Sequence, residues 1–305
     1  MSRPLPADLL RAVESCCGSR VVGASGVGGG CISTTLALRL EDGSRLFAKL
    51  APAEPPGGAL LAAEADGLAA LRATGTVRVP AVVAAGPGWL LLEWLEPGRG
   101  TDAQWERLGA ALAALHAAPV SGWGFESDNF IGTLPQANPA TADWADFWWQ
   151  ARLLPQLYRA RTAGAIDGET QRAFEQLADA LPAVLAPAAE EGPSLLHGDL
   201  WSGNIQLVHE GEPAVLDPAA YRGHREVDLA MASLFGGFDA AFWEAYHAAR
   251  PLRPDGLERR RAVYQLYYLL VHVNLFGTGY LPRTRAALRT ALGRPGSVSR
   301  RSGRA

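Results

Sequence analysis

The sequence predicts an α+β fold of two lobes, a small N-terminal antiparallel β lobe with one main helix and a larger, mainly helical C-terminal lobe. Short alternating apolar segments with glycine-containing turns fill the first part of the chain, whereas longer segments with apolar residues at helical spacing fill the rest. The 305 residues also exceed a usual single domain of about 150 residues. We therefore expect an N-terminal lobe at 1–95, a C-terminal lobe at 96–292 and a disordered tail at 293–305.

The first lobe is predicted to begin with a helix at 5–18, which ends at Gly18, and to carry its main helix at 59–73. Alternating apolar residues between turn signals predict the strands. These strands lie at 20–22, 35–40, 45–50, 77–83 and 89–95.

Beyond the Pro/Gly-rich segment 96–100, which is predicted to be the hinge between the lobes, apolar residues recur at helical spacing. The predicted helices of the second lobe lie at 102–117, 143–163, 168–186, 225–250 and 256–275.

Composition narrows the class of function. The formal net charge is −3 and the pI is about 6.1, so neither a nucleic-acid partner nor an anionic membrane surface is expected. The longest apolar runs fall short of the ~18 residues that a membrane span needs, and no secretory signal is recognised, so a cytoplasmic location is expected. The three cysteines, Cys16, Cys17 and Cys31, are too few for a disulfide framework or a four-ligand zinc site.

The segment from Leu195 to Asn204 carries the strongest motif, Leu-Leu-His-Gly-Asp-Leu-Trp-Ser-Gly-Asn. Asp199 and Asn204 have the spacing that, in the catalytic loop of protein kinases, separates the Asp that accepts the hydroxyl proton from the Asn that holds magnesium. Asp217 follows the apolar run 214–216, where a second metal-binding carboxylate is expected. An ordinary turn would explain His-Gly-Asp alone, but it would not explain all three residues in register.

Phosphoryl transfer explains why these residue types are needed. The protein does little covalent work, because it must mainly hold an alcohol in line with the transferred phosphate and neutralise charge. Asp199 is therefore the expected catalytic base, and Asn204 and Asp217 offer the oxygen ligands that Mg²⁺ prefers.

A glycine-rich turn and a single lysine are expected on the nucleotide side. Glycine lets backbone N–H groups approach phosphate oxygens, although a bare glycine-rich hairpin is often only a loop. The turn consists of Gly28, Gly29, Gly30, Cys31, Ile32 and Ser33. Lys49 is the only lysine among 28 basic residues, and a lysine on such a strand binds the α- and β-phosphates in kinase-like folds, held by a Glu on the next helix. Glu64 is the expected partner.

The adenine base is expected at the edge of the hinge. Glu93 and Leu95 directly precede the hinge segment 96–100. Their backbone groups are therefore the expected hydrogen-bonding edge for adenine.

With these motifs established, the chain resembles the fructosamine kinase (ketosamine 3-kinase) family, in the aminoglycoside phosphotransferase-like branch of the protein-kinase-like fold. The resemblance extends from about residue 8 to residue 290. Trp201-Ser202 inside the catalytic loop is its most specific element, because choline and homoserine kinases usually have His-Pro there. Other matching segments are 28–33, 47–49, 93–95, 125–132, 144–156, 217–226, 235–238 and 272–280.

The resemblance implies an ATP- and Mg²⁺-dependent kinase that phosphorylates a sugar hydroxyl, typically the 3-hydroxyl of a fructosamine or ribulosamine, and thereby serves protein deglycation. The roles it implies are Asp199 as base, Lys49 with Glu64 as phosphate clamp, Asn204 and Asp217 as Mg²⁺ ligands, and 28–33 as nucleotide loop.

The sugar side of the site is expected to hold a polar sugar and a secondary amine that is cationic near neutral pH. Such a substrate calls for an aromatic wall and a carboxylate. Trp201 is the candidate for the wall and Glu226 or Asp228 for the carboxylate. The alternatives are a packed aromatic residue and a solvated carboxylate at a helix start.

Cys31 lies at the edge of the glycine turn, where backbone N–H groups can lower a thiol pKa, so it is a candidate for oxidation. The family resemblance implies a redox-linked homodimer through this cysteine. The alternative is an inert small hydrophobic residue.

Two other functions remain open at this point. A kinase for an aminoglycoside, choline or another alcohol would keep every residue of the ATP side, and Trp201-Ser202 is the feature against it. A pseudokinase that serves as an interaction module would typically lack Lys49, Asp199 or Asp217, and all three are present.

Overall fold

The computed structural model describes residues 4–28, 33–52, 54, 56–209 and 211–294. Within these ranges, one five-stranded sheet lies in the first part of the chain and helices predominate beyond residue 100. This is the expected α+β arrangement. None of the helices in the described ranges combines the length and the apolar character that a bilayer crossing requires.

The N-terminal sheet is antiparallel, with the strand order β1-β2-β3-β5-β4. Its strands are β1 (Val21–Gly26), β2 (Thr34–Leu40), β3 (Arg45–Leu50), β4 (Val82–Gly86) and β5 (Trp89–Glu93). The turn between β2 and β3 is fixed by Ser44, whose N–H and hydroxyl both donate to Asp42 Oδ1, at 2.9 and 2.7 Å. Gly43 supplies the positive φ of +85° that this turn requires.

The two faces of this sheet pack against different helices, α1 (Ala7–Cys17) and α2 (Gly57–Ala73). Successive residues of a strand point to opposite faces. Leu46, Ala48 and Leu50 of β3 join the cluster under α1. Lys49 therefore points to the other face, where α2 carries Glu64.

The second lobe is mainly helical. Its helices are α3 (Asp102–Ala117), α4 (Trp144–Phe147), α5 (Leu154–Thr162), α6 (Gly168–Glu191), α7 (Glu226–Phe235), α8 (Ala240–Ala249), α9 (Leu257–Phe276) and α10 (Leu281–Ala291). Three short hairpins or strand pairs lie among them, formed by β6 (Asn129–Ile131) with β7 (Leu134–Gln136), β8 (Ser194–Leu196) with β11 (Tyr221–Gly223), and β9 (Ile205–Gln206) with β10 (Ala214–Val215).

The predicted helix 225–250 is wrong as a single element, because it divides into α7 and α8. Gly236 and Gly237 between them take φ values of +75° and +90°, which end a right-handed helix. A Cβ on Gly237 would lie 2.5 Å from the Ser202 hydroxyl oxygen. The break therefore lets the chain pass close to the predicted catalytic loop.

Other boundaries also differ from the prediction. Only Val82–Gly86 forms a strand near the predicted strand 77–83, and residue 78 instead makes an isolated bridge to Ala214. The predicted helix 143–163 contains a π-helical turn at Trp148–Leu153, and the predicted helix 168–186 continues to Glu191. The helix α10 and the hairpin β6–β7 were not predicted.

The hinge segment 96–100 is held against the second lobe. Gly98 N–H donates to Leu207 O at 2.8 Å, and a Cβ on Gly98 would lie 2.3 Å from Val208 O. Glycine is therefore required for this close approach. The division at residue 95 remains a prediction, and residues 295–305 of the predicted tail lie outside the described ranges.

Candidate active site

The predicted catalytic loop follows β8 and enters a short 3₁₀ turn at Ser202–Asn204. Gly198, the second residue after β8, has φ +82°, and a Cβ there would lie 2.0 Å from Ala219 O. The His197 ring is buried and lies between Leu216 O, 2.8 Å from Nε2, and the Asp199 N–H, 3.2 Å from Nδ1. Burial lowers the pKa of His197, so a neutral ring with its proton on Nε2 satisfies both contacts. This arrangement fixes the backbone on which Asp199 stands.

Asp199 lies in the cleft between the lobes, which has a volume of about 700 Å³. Burial raises the pKa of Asp199 to about 7, and the charge of Asp217 adds to the shift, whereas the Asn204 side chain opposes it. A carboxylate with a pKa near neutrality is suited to accepting a proton from an alcohol near pH 7.

Asn204 is tied to Asp199. Its Nδ2 donates to Asp199 O at 2.9 Å and to Asp199 Oδ2 at 3.3 Å. Because the amide nitrogen is used in this way, the Asn204 amide oxygen is available to a cation. The predicted pair of base and metal ligand is thus brought together.

Lys49 and Glu64 meet as expected. Lys49 Nζ donates to Glu64 Oε2 at 2.8 Å, and Oε1 lies 2.7 Å from Nζ without the alignment of a hydrogen bond. Nζ also donates to Asp217 Oδ1 at 2.6 Å. Burial acts to lower the pKa of Lys49, but Asp217 and Glu64 outweigh it and the pKa is raised. Burial raises the pKa of Glu64 to about 7, although Lys49 opposes this.

Asp217 has an unusual backbone. Among the described residues other than glycine, it is the one with positive φ, at +54°. Asp tolerates this left-handed region better than most residues, and such conformations concentrate at functional sites. The preceding N–H, of Leu216, donates to Asn204 O at 2.9 Å, which couples the two predicted metal ligands.

The oxygen donors fit a magnesium ion held partly by phosphates. The Asp217 side chain is 45% exposed towards solvent, and only its Oδ1 is used by Lys49. No group of three or more His, Cys, Asp or Glu residues that could hold a metal occurs in the described ranges. Mg²⁺ commonly binds through one or two protein oxygens together with substrate phosphates and water, and Asn204 with Asp217 suits this mode.

The glycine turn is described only at its two ends. Val27 N–H donates to Thr35 O at 3.0 Å, and the Thr35 hydroxyl donates to Val27 O at 2.6 Å, which closes the base of the turn. Ser33 and Thr35 line the cleft. Gly28 is exposed, whereas Gly29, Gly30, Cys31 and Ile32 lie outside the described residues.

Glu93 and Leu95 stand at the junction of the lobes. The Glu93 carboxylate accepts from Arg78 Nη2 and from Ala81 N, both at 3.1 Å. Leu95 is buried in a small cluster with Val208 and Ala214. The adenine-binding role of their backbone remains a prediction.

Trp201 lines the cleft two residues after Asp199, as the aromatic-wall hypothesis requires. Its ring lies over Gly203, where a Cβ would approach the ring to 2.1 Å. Glycine at this position therefore leaves room for the indole.

The sugar-side prediction for Glu226 is wrong in its geometry. Glu226 is 3% exposed, does not line the cleft, and forms a two-pronged pair with Arg260, whose Nε and Nη2 donate at 2.8 Å each. The alternative carboxylate, Asp228, is fully buried as well. Both residues lie in the first turn of α7 and their carboxylates are bonded inside the lobe, so neither is available to a substrate amine.

Asp228 has a role that was missed. Its Oδ2 accepts from His197 N and its Oδ1 from Gly198 N, both at 2.8 Å. Tyr268 of α9 fixes the same loop by donating its hydroxyl to Gly198 O at 2.7 Å. Nothing in the local sequence marks either residue for this anchoring role, since the contacts join segments distant along the chain.

Known proteins that resemble this chain are described as kinases of sugar–amine adducts. A family model for fructosamine kinase matches residues 11–294. A Synechocystis protein named "Probable ketoamine kinase" is 44% identical over 278 residues, which cover 87% of this chain and 89% of that protein. The chloroplastic protein-ribulosamine 3-kinase of Arabidopsis thaliana is 40% identical over 266 residues, which cover 83% of this chain and 78% of that protein.

Comparison with solved structures points to the same family. The crystal structure of a candidate fructosamine-3-kinase from Thermobifida fusca superimposes with a TM-score of 0.83 at 35% identity, covering 93% of this chain and 98% of that one. Solved aminoglycoside phosphotransferases superimpose too. Their sequence identity to this chain is low, so this likeness shows a shared fold alone. The predicted α+β fold of the protein-kinase-like class is confirmed.

Proposed function

Because this chain belongs to the fructosamine kinase family, we propose that it transfers the γ-phosphate of ATP to the 3-hydroxyl of ketosamines, the sugar adducts of amines. It is an ATP-dependent phosphotransferase that acts on an alcohol group. The observation that carries the proposal is the meeting of Lys49, Asp199, Asn204 and Asp217 in one cleft, with Trp201 beside the base.

The proposed division of labour follows from charge and position. Asp199 accepts the proton of the attacking hydroxyl, which its pKa of about 7 permits near neutral pH. Lys49, held by Glu64, neutralises the α- and β-phosphates. Mg²⁺, when bound, would neutralise phosphate charge, and Asn204 and Asp217 would hold it through their free oxygens.

The remaining nucleotide contacts are proposed from the sequence. The turn of Gly28, Gly29, Gly30, Cys31, Ile32 and Ser33 would cover the phosphates with backbone N–H groups. The backbone of Glu93 and Leu95 would pair with adenine.

The acceptor is proposed to be a fructosamine or ribulosamine. Trp201 offers its face to the sugar, close to the base. Enolisation of the C2 carbonyl towards C1 lets the C3 phosphate leave as inorganic phosphate, because phosphate is a better leaving group than hydroxide. Water then hydrolyses the resulting imine at C1, which releases the amine and a 3-deoxy dicarbonyl. This lability connects the reaction to protein deglycation.

An ATP-consumption assay across ribulosamines, fructosamines, the free ketoses, an aminoglycoside and choline tests the proposal. We expect kcat/KM on ketosamines to exceed that on free ketoses by about 10- to 200-fold, because an unfilled site for the amine substituent forfeits binding free energy. The position of the phosphate is read by NMR of the product. Equal rates on ketosamines and free ketoses, or phosphate on another hydroxyl, would contradict it.

We also propose that Cys31 forms a redox-linked homodimer, a hypothesis supported by its place at the glycine turn. Mild peroxide should produce a dimer band on non-reducing gels that disappears in Cys31→Ser. Cys16→Ser is the matched control, since Cys16 is an exposed free cysteine in α1. A band lost only in Cys16→Ser would exclude Cys31 as the link.

A further inference from the structure

A buried hydrogen-bond network lies next to the cleft, and Arg152 is its charged member. This residue belongs to the π-helical turn Trp148–Leu153, an irregularity that is frequent at functional sites, and its side chain is 0% exposed. Its guanidinium lies 4.0 Å from the ring centre of Tyr221 and 4.6 Å from that of Phe147. Buried charges are normally paired, yet the oxygen atoms that accept the described hydrogen bonds of Arg152 are all neutral. Packing alone does not explain a charge at this position.

Arg152 sets the direction of the network, because a guanidinium can only donate hydrogen bonds. Its Nη2 donates to Asn138 Oδ1 at 2.7 Å, so the Asn138 amide presents its Nδ2 on the other side. That nitrogen donates to Asn129 Oδ1 at 3.0 Å, and Asn129 Nδ2 in turn donates to Ala220 O at 2.8 Å. A permanent donor at one end therefore orients two amide side chains in series, as far as the backbone of Ala220.

A second branch reaches the same backbone from α9. The Tyr267 hydroxyl donates to Gln136 Oε1 at 2.6 Å, which leaves the Gln136 nitrogen to donate elsewhere. Gln136 Nε2 donates to Asn129 Oδ1 at 2.7 Å and, at the longer distance of 3.4 Å, to Ala219 O. Asn129 Oδ1 therefore accepts from two amide groups, and the Asn129 nitrogen is the group that faces Ala220 O. Together the two branches fix one orientation of the Asn129 side chain.

The network ends on the segment that carries Asp217, the proposed magnesium ligand, whose φ is +54°. A residue other than glycine keeps such a conformation only when the surrounding structure fixes the backbone on both sides of it. Before Asp217, the Leu216 N–H donates to Asn204 O at 2.9 Å. After Asp217, the carbonyls of Ala219 and Ala220 are the atoms that the network holds. The position of the Asp217 carboxylate therefore depends on this network.

We propose, resting on the proposed function, that Arg152 is a positioning residue for the metal site, which acts through Asn138 and Asn129 to hold the backbone after Asp217 and so keeps this carboxylate in place for Mg²⁺. Arg152 does not line the cleft, so it acts through this backbone and not by contact with nucleotide or acceptor. Its charge matters as well as its shape, since a group that cannot accept excludes the flipped orientation of the Asn138 amide. Loss of a group that orients a metal ligand typically lowers metal affinity by about 10- to 100-fold.

Arg152→Met tests the proposal. Because the hydrogen-bond partners of Arg152 are neutral, the change leaves no carboxylate among them unpaired, and the flexible methionine can pack beside Phe147 and Tyr221. Calorimetry measures the binding of the non-hydrolysable analogue AMP-PNP, once with Mg²⁺ and once with EDTA. We expect the affinity with EDTA to equal that of the wild type and the affinity with Mg²⁺ to fall about tenfold.

Tyr267→Phe is a milder variant, and it decides the question if Arg152→Met does not fold. It keeps the ring but removes the hydroxyl that orients Gln136, so the affinity with Mg²⁺ should fall about threefold. Tyr264→Phe is the matched control, because Tyr264 is a buried tyrosine of the same helix whose hydroxyl bonds side chains outside this network. Its affinity with Mg²⁺ should equal that of the wild type.

In the ketosamine assay, Arg152→Met should lower kcat and raise the Mg²⁺ concentration that gives half the maximal rate, whereas the KM for the ketosamine should stay at the wild-type value. The positioning role would be overturned if the folded variants lose no affinity with Mg²⁺, if they lose as much with EDTA, or if Tyr264→Phe shows the same loss. The binding experiment contains no acceptor. A wild type that binds the nucleotide with Mg²⁺ but does not phosphorylate ketosamines would therefore overturn the proposed function alone.

Discussion

The Lys49 cluster in the cleft and the Glu226–Arg260 pair in the helical lobe each contain a buried basic side chain, yet they are built in opposite ways. Arg260 meets one carboxylate with two aligned hydrogen bonds, and its other N–H groups donate to the Asp255 and Arg253 carbonyls. Lys49 meets two carboxylates, so the cluster carries excess negative charge. The charge of Arg260 is balanced by one carboxylate within the protein, whereas the negative charge around Lys49 is not balanced.

The difference indicates which cluster serves stability and which serves a ligand. A buried pair whose hydrogen-bonding groups are all satisfied holds neighbouring elements together, and removal of one partner is costly. In the cleft, the pKa of Glu64 is raised to about 7 and Asp217 has a strained backbone, so the cluster suits an incoming cation. The sequence predicted that Glu226 lies in the cleft. The prediction was wrong because the Glu226 carboxylate is already paired with Arg260 inside the lobe.

The largest effect is expected at the catalytic base. Asp199→Asn should lower kcat by about 10²- to 10⁴-fold, because proton acceptance is lost while the shape is kept. The folded-state pKa of about 7 lies above the ordinary value of 3.8, so stability is lost as the pH rises from about 3.8 to about 7, and the full cost of the ionised form is present at pH 8. The variant should therefore be at least as stable as the wild type at pH 8. Normal turnover, or clear destabilisation at pH 8, would count against Asp199.

The Glu226–Arg260 pair should affect stability and not activity. Arg260→Met should lower the free energy of unfolding by about 3–5 kcal/mol, because the Glu226 charge is left buried without its partner. The kcat/KM per folded molecule should remain close to that of the wild type. Urea unfolding and active-site titration measure the two quantities.

A double variant serves as the control for Arg260. Removing both charges, as Glu226→Gln with Arg260→Met, should recover part of the lost stability, since no buried charge remains unpaired. If the double variant is no more stable than Arg260→Met, the pair is not the source of the loss.

Lys49 should affect activity more than stability. Lys49→Met should lower kcat/KM by about 10²- to 10³-fold, as expected when one charge that stabilises the transition state is removed. Lys49→Arg keeps the charge but replaces a compact ammonium with a planar fork, so it should be impaired by less. Because Lys49 is the only lysine, an amine-reactive ATP analogue should label it and the N-terminus. Labelling at neither residue, or full activity in Lys49→Met, would contradict the assignment.

The smallest effect concerns acid stability in the helical lobe. Glu191 lies 3.3 Å from His224 Nε2 and 3.2 Å from Arg250 Nη2, and it also bonds Arg225. Burial raises its pKa, but His224 and Arg225 outweigh this and lower it below the usual 4.5. Its stabilisation is therefore present above pH 4.5 and lost as the pH falls further. Glu191→Gln should remove on the order of 1 kcal/mol of that acid-dependent change, after allowance for solvent screening.

Unfolding curves between pH 7 and pH 3 measure this effect. Glu190→Gln is the matched control, since Glu190 is an exposed carboxylate paired with Arg253 at 2.8 Å in solvent. An equal change in both variants would show that the buried cluster contributes nothing specific.

Two contacts of the site could be predicted, because each residue type was expected to have a specific task at a fixed spacing. Asp199 and Asn204 belong to one loop, so their contact follows from local sequence. Lys49 and Glu64 could be paired because strand alternation and helix position both direct them to the same face. The contact of Lys49 with Asp217 was not predicted, because it joins segments that are far apart along the chain.

What the sequence by itself determined was the α+β class, the order of most elements and the contacts of Lys49 with Glu64 and of Asp199 with Asn204, since periodicity and motif spacing are local properties. Tertiary structure decided the rest. Whether Glu226 faces a substrate or Arg260 depends on how α7 packs against α9, and the anchoring of the loop by Asp228 and Tyr268 depends on segments that only folding brings together. Burial and partner choice are set by the whole lobe, so no local pattern contains them.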